Sequence, residues 1–242
     1  MLNQINHWIE YAAAAIDLVL LLRVLALRLQ RTYLFLTLVC LLTVVFDVAN
    51  LLYDSQAYPR VEIYGALFLS LLFPLAVWDI FEEIAKPVAA IRRLAMLRTV
   101  ASLIIISLFG LLWVGSLPEN EDPTGLFFIS AITVTVSTGS ATGCLGFLWI
   151  MRRGMTLQKV TPPKNTSVWM IFYALLMVAQ LASWLVLTAD QFLSAAAKEP
   201  FQNSVNVVVN SYGIVITLWC AVNLRGLSKD IPSQISETEP RP

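Results

Sequence analysis

The chain has 242 residues, 58% of them hydrophobic and 13% charged, with sixteen basic and sixteen acidic side chains. Soluble proteins run at about 45–50% apolar and about 25% charged residues, so this composition and a mean hydropathy of +0.73 exclude an ordinary soluble domain or nucleic-acid binder. The chain reads as an integral membrane protein, with the lipid bilayer as its first partner.

A span needs about 20 mostly apolar residues to cross about 30 Å of hydrocarbon. Seven stretches qualify, at about 8–28, 32–53, 61–84, 97–117, 126–150, 167–189 and 203–225. In lipid every backbone group must be bonded internally, and the stretches lack the alternation of barrel strands. The expected fold is therefore all-α, a polytopic membrane protein of seven transmembrane helices in one domain over 1–228.

The first span, "AAAAIDLVLLLRVLALRLQR", holds Asp17 and Arg23, each costing about 2.5–3.5 kcal/mol at a helix centre on insertion scales. The opening "MLNQINHW" has no basic n-region and the apolar stretch is full length, so it reads as a retained span rather than a cleaved signal peptide. His7, just before it, reads as a surface residue. Arg23 either snorkels to the headgroups or pairs with Asp79, which lies at a similar depth near the exit of the third span.

In the second span Cys40, Thr43, Asp47, Asn50 and Asp54 stand at helical spacing and form one stripe. The third contains Pro74, which predicts a kink, and ends in Asp79, Glu82, Glu83 and Lys86 on one face, a pattern usual for a solvated helix end. The fourth, "TVASLIIISLFGLLWVG", is almost wholly apolar and reads as peripheral. The fifth repeats the stripe with Ser130, Thr133, Ser137, Ser140 and Cys144, which either line a pocket or let helices approach closely, as in the small-residue pattern "GSATG". Gln180 stands in the sixth. The seventh carries Asn203, Asn206, Asn210, Gly213, Thr217 and Cys220 at the same intervals. From Lys229 the tail 229–242 is polar and Pro-rich and is expected to be a disordered cytoplasmic segment.

Lysine and arginine favour cytoplasmic connections. With Arg23 set aside, Arg28, Arg31, Lys86, Arg92, Arg93, Arg98, Arg152, Arg153, Lys159, Lys164, Arg225, Lys229 and Arg241 fall on one side, and Arg60 and Lys198 on the other. This predicts an outside N-terminus and a cytoplasmic C-terminus in a bacterial-type inner membrane.

Counted from the outer boundary at about 1.5 Å per residue, Asp17 lies at about 13 Å, Asp47 at about 9 Å, Gln180 at about 13 Å, Asn206 at about 5 Å and Asn210 at about 11 Å. Thr133 and Ser137 fall in the same layer. These seven residues are the expected lining of an outward-facing polar pocket for a small polar or cationic ligand, because a desolvated acid needs a proton, a hydrogen-bond network or a cation. The structural alternative for Asp17 and Asp47 is a protonated acid bonded to a neighbouring helix.

All five lysines lie outside mid-helix positions, which excludes a retinal Schiff base, and a single histidine cannot supply a zinc hydrolase centre. No Gly-x-Ser-x-Gly elbow, Walker sequence or Cys-x-x-Cys is present. Cys40, Cys144 and Cys220 read as buried fillers rather than a disulfide framework. No enzyme, cofactor or metal site is expected. A sensor or receptor-like module suits this topology, signalling to a partner at the cytoplasmic loops. Its rivals are an accessory subunit and a small carrier of 3+1+3 plan, the latter on the echo between "RTYLFLTLVCLLTVV" and "NTSVWMIFYALLMVA".

The exit of the third span, "WDIFEEIAKPVAAIRRLA" (Trp78 to Ala95), followed by an apolar fourth span, resembles that of an uncharacterised group of bacterial seven-helix integral membrane proteins. The resemblance implies that fold and no activity.

Overall fold

The computed structural model describes residues 2–52, 59–85, 126–158, 161–189 and 195–226. Among the described residues every regular element is helical: α1 (Leu2–Ala26), a 3-10 turn η1 (Leu29–Arg31), α2 (Leu34–Leu52), α3 (Pro59–Ala85), α4 (Leu126–Gln158), α5 (Lys164–Ala189) and α6 (Ala195–Asn223). Among the described residues five stretches are long and apolar enough to cross a membrane: α2 itself, Ile63–Ile84 of α3, Ile129–Leu157 of α4, Lys164–Ser183 of α5 and Pro200–Asn223 of α6. The protein is thus a multi-pass membrane protein. Helix α1, which carries Glu10, Asp17 and Arg23, packs in the same bundle. The fourth expected span, 97–117, and the tail from Lys229 lie outside the described residues.

Three boundaries differ from those expected. Helix α4 continues to Gln158, so much of the connection expected from Arg152 is helical. The backbone ladder need not stop where apolar residues stop, and no proline interrupts it before Pro162. Helix α6 begins at Ala195 rather than near 203, and α1 at Leu2 rather than near 8. Helix α3 stays continuous through Pro74.

Each helix packs against its neighbour in chain order, α6 closes on α1, and α3 also reaches α5 across the ring. Two neighbouring pairs run parallel. Along α3 and α4, Ser70 meets Ser137 and Phe81 meets Phe147. Along α1 and α6, Arg23 reaches the carbonyl of Leu224, while Asp17 sits beside Thr217.

The end that carries η1 is tied together by hydrogen bonds. Arg28, in the left-handed region at φ 58°, turns the chain out of α1. The guanidinium of Arg23 donates to the carbonyl of Leu224 at 3.0 Å. Asn165 donates to the carbonyl of Arg225 at 2.8 Å and accepts from its N–H at 2.9 Å. The hydroxyls of Tyr33 and Thr166 are 3.0 Å apart.

Burial follows the same division. On α1 the buried residues are Leu20, Leu21 and Val24, on α2 Leu36, Val39 and Cys40, and on α6 Ile216, Thr217, Cys220 and Ala221, with Leu224 just beyond the helix. All lie in the half nearer η1. Towards the opposite end these three helices bury no described side chain, so they close together at one end and part at the other.

Candidate functional site

Where the helices part, a cavity of about 420 Å³ lies between α1, α2, α3, α5 and α6. That volume is within the usual range of about 300–1,000 Å³ for small-ligand pockets. Leu20, Cys40 and Thr217 lie at its η1 side, and it reaches Ala13, Asp47, Ser183 and Val209 towards the other end. One or two turns nearer η1, Val24, Leu36, Ile80, Trp169 and Leu224 are fully buried. The floor is therefore solid side-chain packing.

Helical periodicity places the polar groups. Cys40, Thr43 and Asp47 share one face of α2, and Asn210, Gly213 and Thr217 share one face of α6, and all six line the cavity. Asp17 enters from α1 and Gln180 from α5. Asp17 is hydrogen-bonded to Thr217, and its carboxyl group lies within hydrogen-bonding reach of that of Asp47. The Oδ2 atom of Asp47 is buried without a hydrogen-bond partner. Among the described residues no lysine, arginine or histidine lines the cavity.

Asp17, Asp47, Gln180 and Asn210 are thus gathered at one place. The other three residues expected in that layer stand elsewhere. Asn206 is exposed and does not line the cavity. Thr133 and Ser137 are buried in α4, away from it, because the contact between α3 and α5 shuts α4 out. Thr133 turns back to the carbonyl of Ile129 at 2.9 Å.

The role of the α4 stripe follows from Pro74. A proline has no N–H, so the carbonyl four residues earlier, that of Ser70, loses its helical donor. The Ser140 hydroxyl donates to that carbonyl at 2.6 Å. The Ser70 hydroxyl donates to the carbonyl of Ala66 at 2.7 Å, which leaves Ser137 as the donor in the 2.5 Å contact between the two serine hydroxyls. Two α4 serines thus satisfy polar groups of α3 that lipid cannot.

The expected Arg23–Asp79 pair is not formed. Arg23 is exposed and bound to Leu224, whereas Asp79 is buried and accepts the N–H groups of Phe35 and Leu36 through Oδ2 at 2.6 and 3.0 Å. Each charge faces a helix end of opposite polarity: the cation sits at the C-terminal end of α6 and the acid at the N-terminus of α2. Tyr33, preceding α2, has no side-chain oxygen placed to cap it, so α3 supplies the cap. His7 is exposed, with Nδ1 3.6 Å from Glu10. Cys40, Cys144 and Cys220 are buried free thiols.

Sequence reasoning passed over the wall formed by Phe73, Phe172, Tyr173, Leu176 and Ser183. A signal for part of it was present, since Tyr173, Leu176, Gln180 and Ser183 repeat on α5 the spacing of the α2 stripe. Apolar members made that stripe inconspicuous. No family model matches the chain, and no curated protein or solved structure matches it either.

Proposed function

We propose that this is a non-enzymatic, sensor-like membrane protein that takes a small ligand into the cavity from the side where α1 begins and reports occupancy to a partner at the η1 end. The observation that carries this reading is the cavity itself, polar on one side, of ligand size and ending on a packed floor. A receptor needs one entrance and a coupled far end, and the division of burial fits that need. An aromatic series leads from the wall to the floor: Phe73 to Tyr173 at 6.2 Å, Tyr173 to Trp169 at 6.5 Å and Trp169 to Tyr33 at 6.3 Å between ring centroids. The exposed Arg28, Arg31, Arg152 and Arg153 lie at the η1 end, where they suit an acidic partner surface or anionic headgroups.

In this reading the N-terminus is outside, the C-terminus is cytoplasmic, and the setting is a bacterial-type inner membrane. A seventh crossing over 97–117 is supported by the parallel run of α3 and α4. The chain leaves α3 at the η1 end and enters α4 at the other, and only an odd number of passes joins those points. The resemblance to the bacterial seven-helix group belongs to the same reading.

One observation favours a carrier as the second reading. The triplets α1–α2–α3 and α4–α5–α6 meet through two parallel pairs, as two repeats related by an axis along the membrane normal would. The two readings differ in flux. A thermal-shift screen of small compounds of mixed charge, on wild type and on Gly213→Leu, identifies cavity ligands, since a Cβ at Gly213 meets no heavy atom within 4 Å and the longer side chain fills open space. Hits lost in Gly213→Leu and not transported into proteoliposomes support the sensor. Saturable transport of a hit supports the carrier, and a screen with no Gly213-dependent hit rejects both.

A further inference from the structure

The two walls of the cavity differ in character. Helices α1, α2 and α6 bring Asp17, Thr43, Asp47, Asn210 and Thr217, whereas α3 and α5 bring Leu69, Phe73, Phe172, Tyr173 and Leu176, with the uncharged Gln180 and Ser183 of α5 farther from η1. The acids have no counter-ion from the described residues: no base lines the cavity, and Arg23, on the same helix as Asp17, is committed to Leu224 at the η1 end. Asp47 in addition keeps a buried oxygen with no partner. Removing a carboxylate from water without compensation is costly, so such a pair is met by a proton or a cation. A proton needs none of the surrounding 420 Å³. The opposite wall offers hydrocarbon contact and aromatic faces, which attract cations as well as apolar groups.

We infer that the cavity takes an amphipathic organic monocation, an ammonium compound whose charged head lies against the paired carboxyl groups of Asp17 and Asp47 and whose hydrocarbon body lies against Phe73, Phe172 and Leu176. This rests on the reading of the cavity as a ligand site and adds the charge and shape of the occupant. A primary or secondary ammonium carries N–H donors for both carboxyl groups and for the hydroxyl oxygen of Thr217. Gln180 and Asn210, towards the mouth, supply amide groups that select among substituents on the body.

The test uses the full-length protein in lipid nanodiscs and isothermal titration with four probes: 2-phenylethylamine, hexylamine, the neutral isostere 2-phenylethanol and the anion 3-phenylpropionate. Sodium chloride is titrated separately. At least one amine is expected to bind tenfold or more tightly than 2-phenylethanol. Asp17→Asn and Asp47→Asn are each expected to weaken that amine at least tenfold, and Gly213→Leu to abolish its binding. The comparison of amine with alcohol is made on wild type and stands even if a variant folds poorly. If the alcohol or the anion binds as tightly as the amines and is lost in Gly213→Leu, the cavity keeps its role and the cationic occupant is rejected. Sodium binding that depends on Asp17 and Asp47, with no amine binding, also rejects the organic cation. If no probe of any charge binds, the inference is overturned, and the ligand-site reading falls with it where the screen also finds no Gly213-dependent hit.

Discussion

Arg23 and Asp79 stand at similar depth with opposite charge, yet each serves a different helix end. Because they share no contact, Arg23→Gln and Asp79→Asn should act additively, within about 0.5 kcal/mol. Asp79→Asn removes a charged cap from α2 and should cost about 1–2 kcal/mol. Arg23→Gln, at an exposed helix C-terminus, should cost about 0.3–1 kcal/mol. Unfolding of the two single variants and the double variant in detergent measures this, and a coupling of several kcal/mol would restore the ion pair. Gly65 offers a second residue-scale test. A Cβ there would lie 2.8 Å from the ring of Phe46 on α2, so Gly65→Ala should destabilise by about 1–3 kcal/mol through overpacking, in the same unfolding assay. The charged residues were visible in the sequence, but their partners were not. Which helix ends abut is decided by the ring order, and local spacing carries no information about that.

Helix existence was legible because lipid leaves the backbone so few options: the expected spans other than 97–117 coincide with α1 to α6 to within a few residues over most of their boundaries. The exceptions are helix ends that leave the apolar zone, such as α4 beyond Arg152, where hydropathy has stopped reporting on backbone bonding. The stripes are a subtler case. Those of α2 and α6 lead into the cavity, while the equally regular stripe of α4 packs on α3. A period of about 3.6 tells which face turns inward and is silent on which neighbour it meets. Pro74 was read as a kink, and its structural consequence is a carbonyl that Ser140 satisfies from the next helix. Ser140→Ala should therefore cost about 1–3 kcal/mol by leaving that buried carbonyl unpaired. In a Pro74→Ala background, where the restored N–H can bond Ser70, most of that cost should disappear. A double-mutant cycle by detergent unfolding gives the answer, and an unchanged cost in both backgrounds would contradict the assignment.

At the scale of the whole molecule, the central feature is polarity along the bundle axis. One end is tied by Arg23, Tyr33, Asn165 and Asp79, and the other parts around two acids. The apolar wall of Phe73, Phe172 and Leu176 was invisible in a chain so rich in apolar residues, because lipid-facing and cavity-facing side chains have the same character in such a sequence. This axial polarity is tested most directly by thiol accessibility. In a Cys40→Ala background, Thr43→Cys, Asn210→Cys and Leu36→Cys are treated with a charged, membrane-impermeant thiol reagent in vesicles of known sidedness. The cavity should let the reagent reach Thr43→Cys and Asn210→Cys from the face where α1 begins and not from the η1 face, while Leu36→Cys in the packed floor stays unreactive from both. Labelling of Thr43→Cys from the η1 face, or no labelling of Thr43→Cys and Asn210→Cys from either face, would contradict a cavity open at one end and closed at the other.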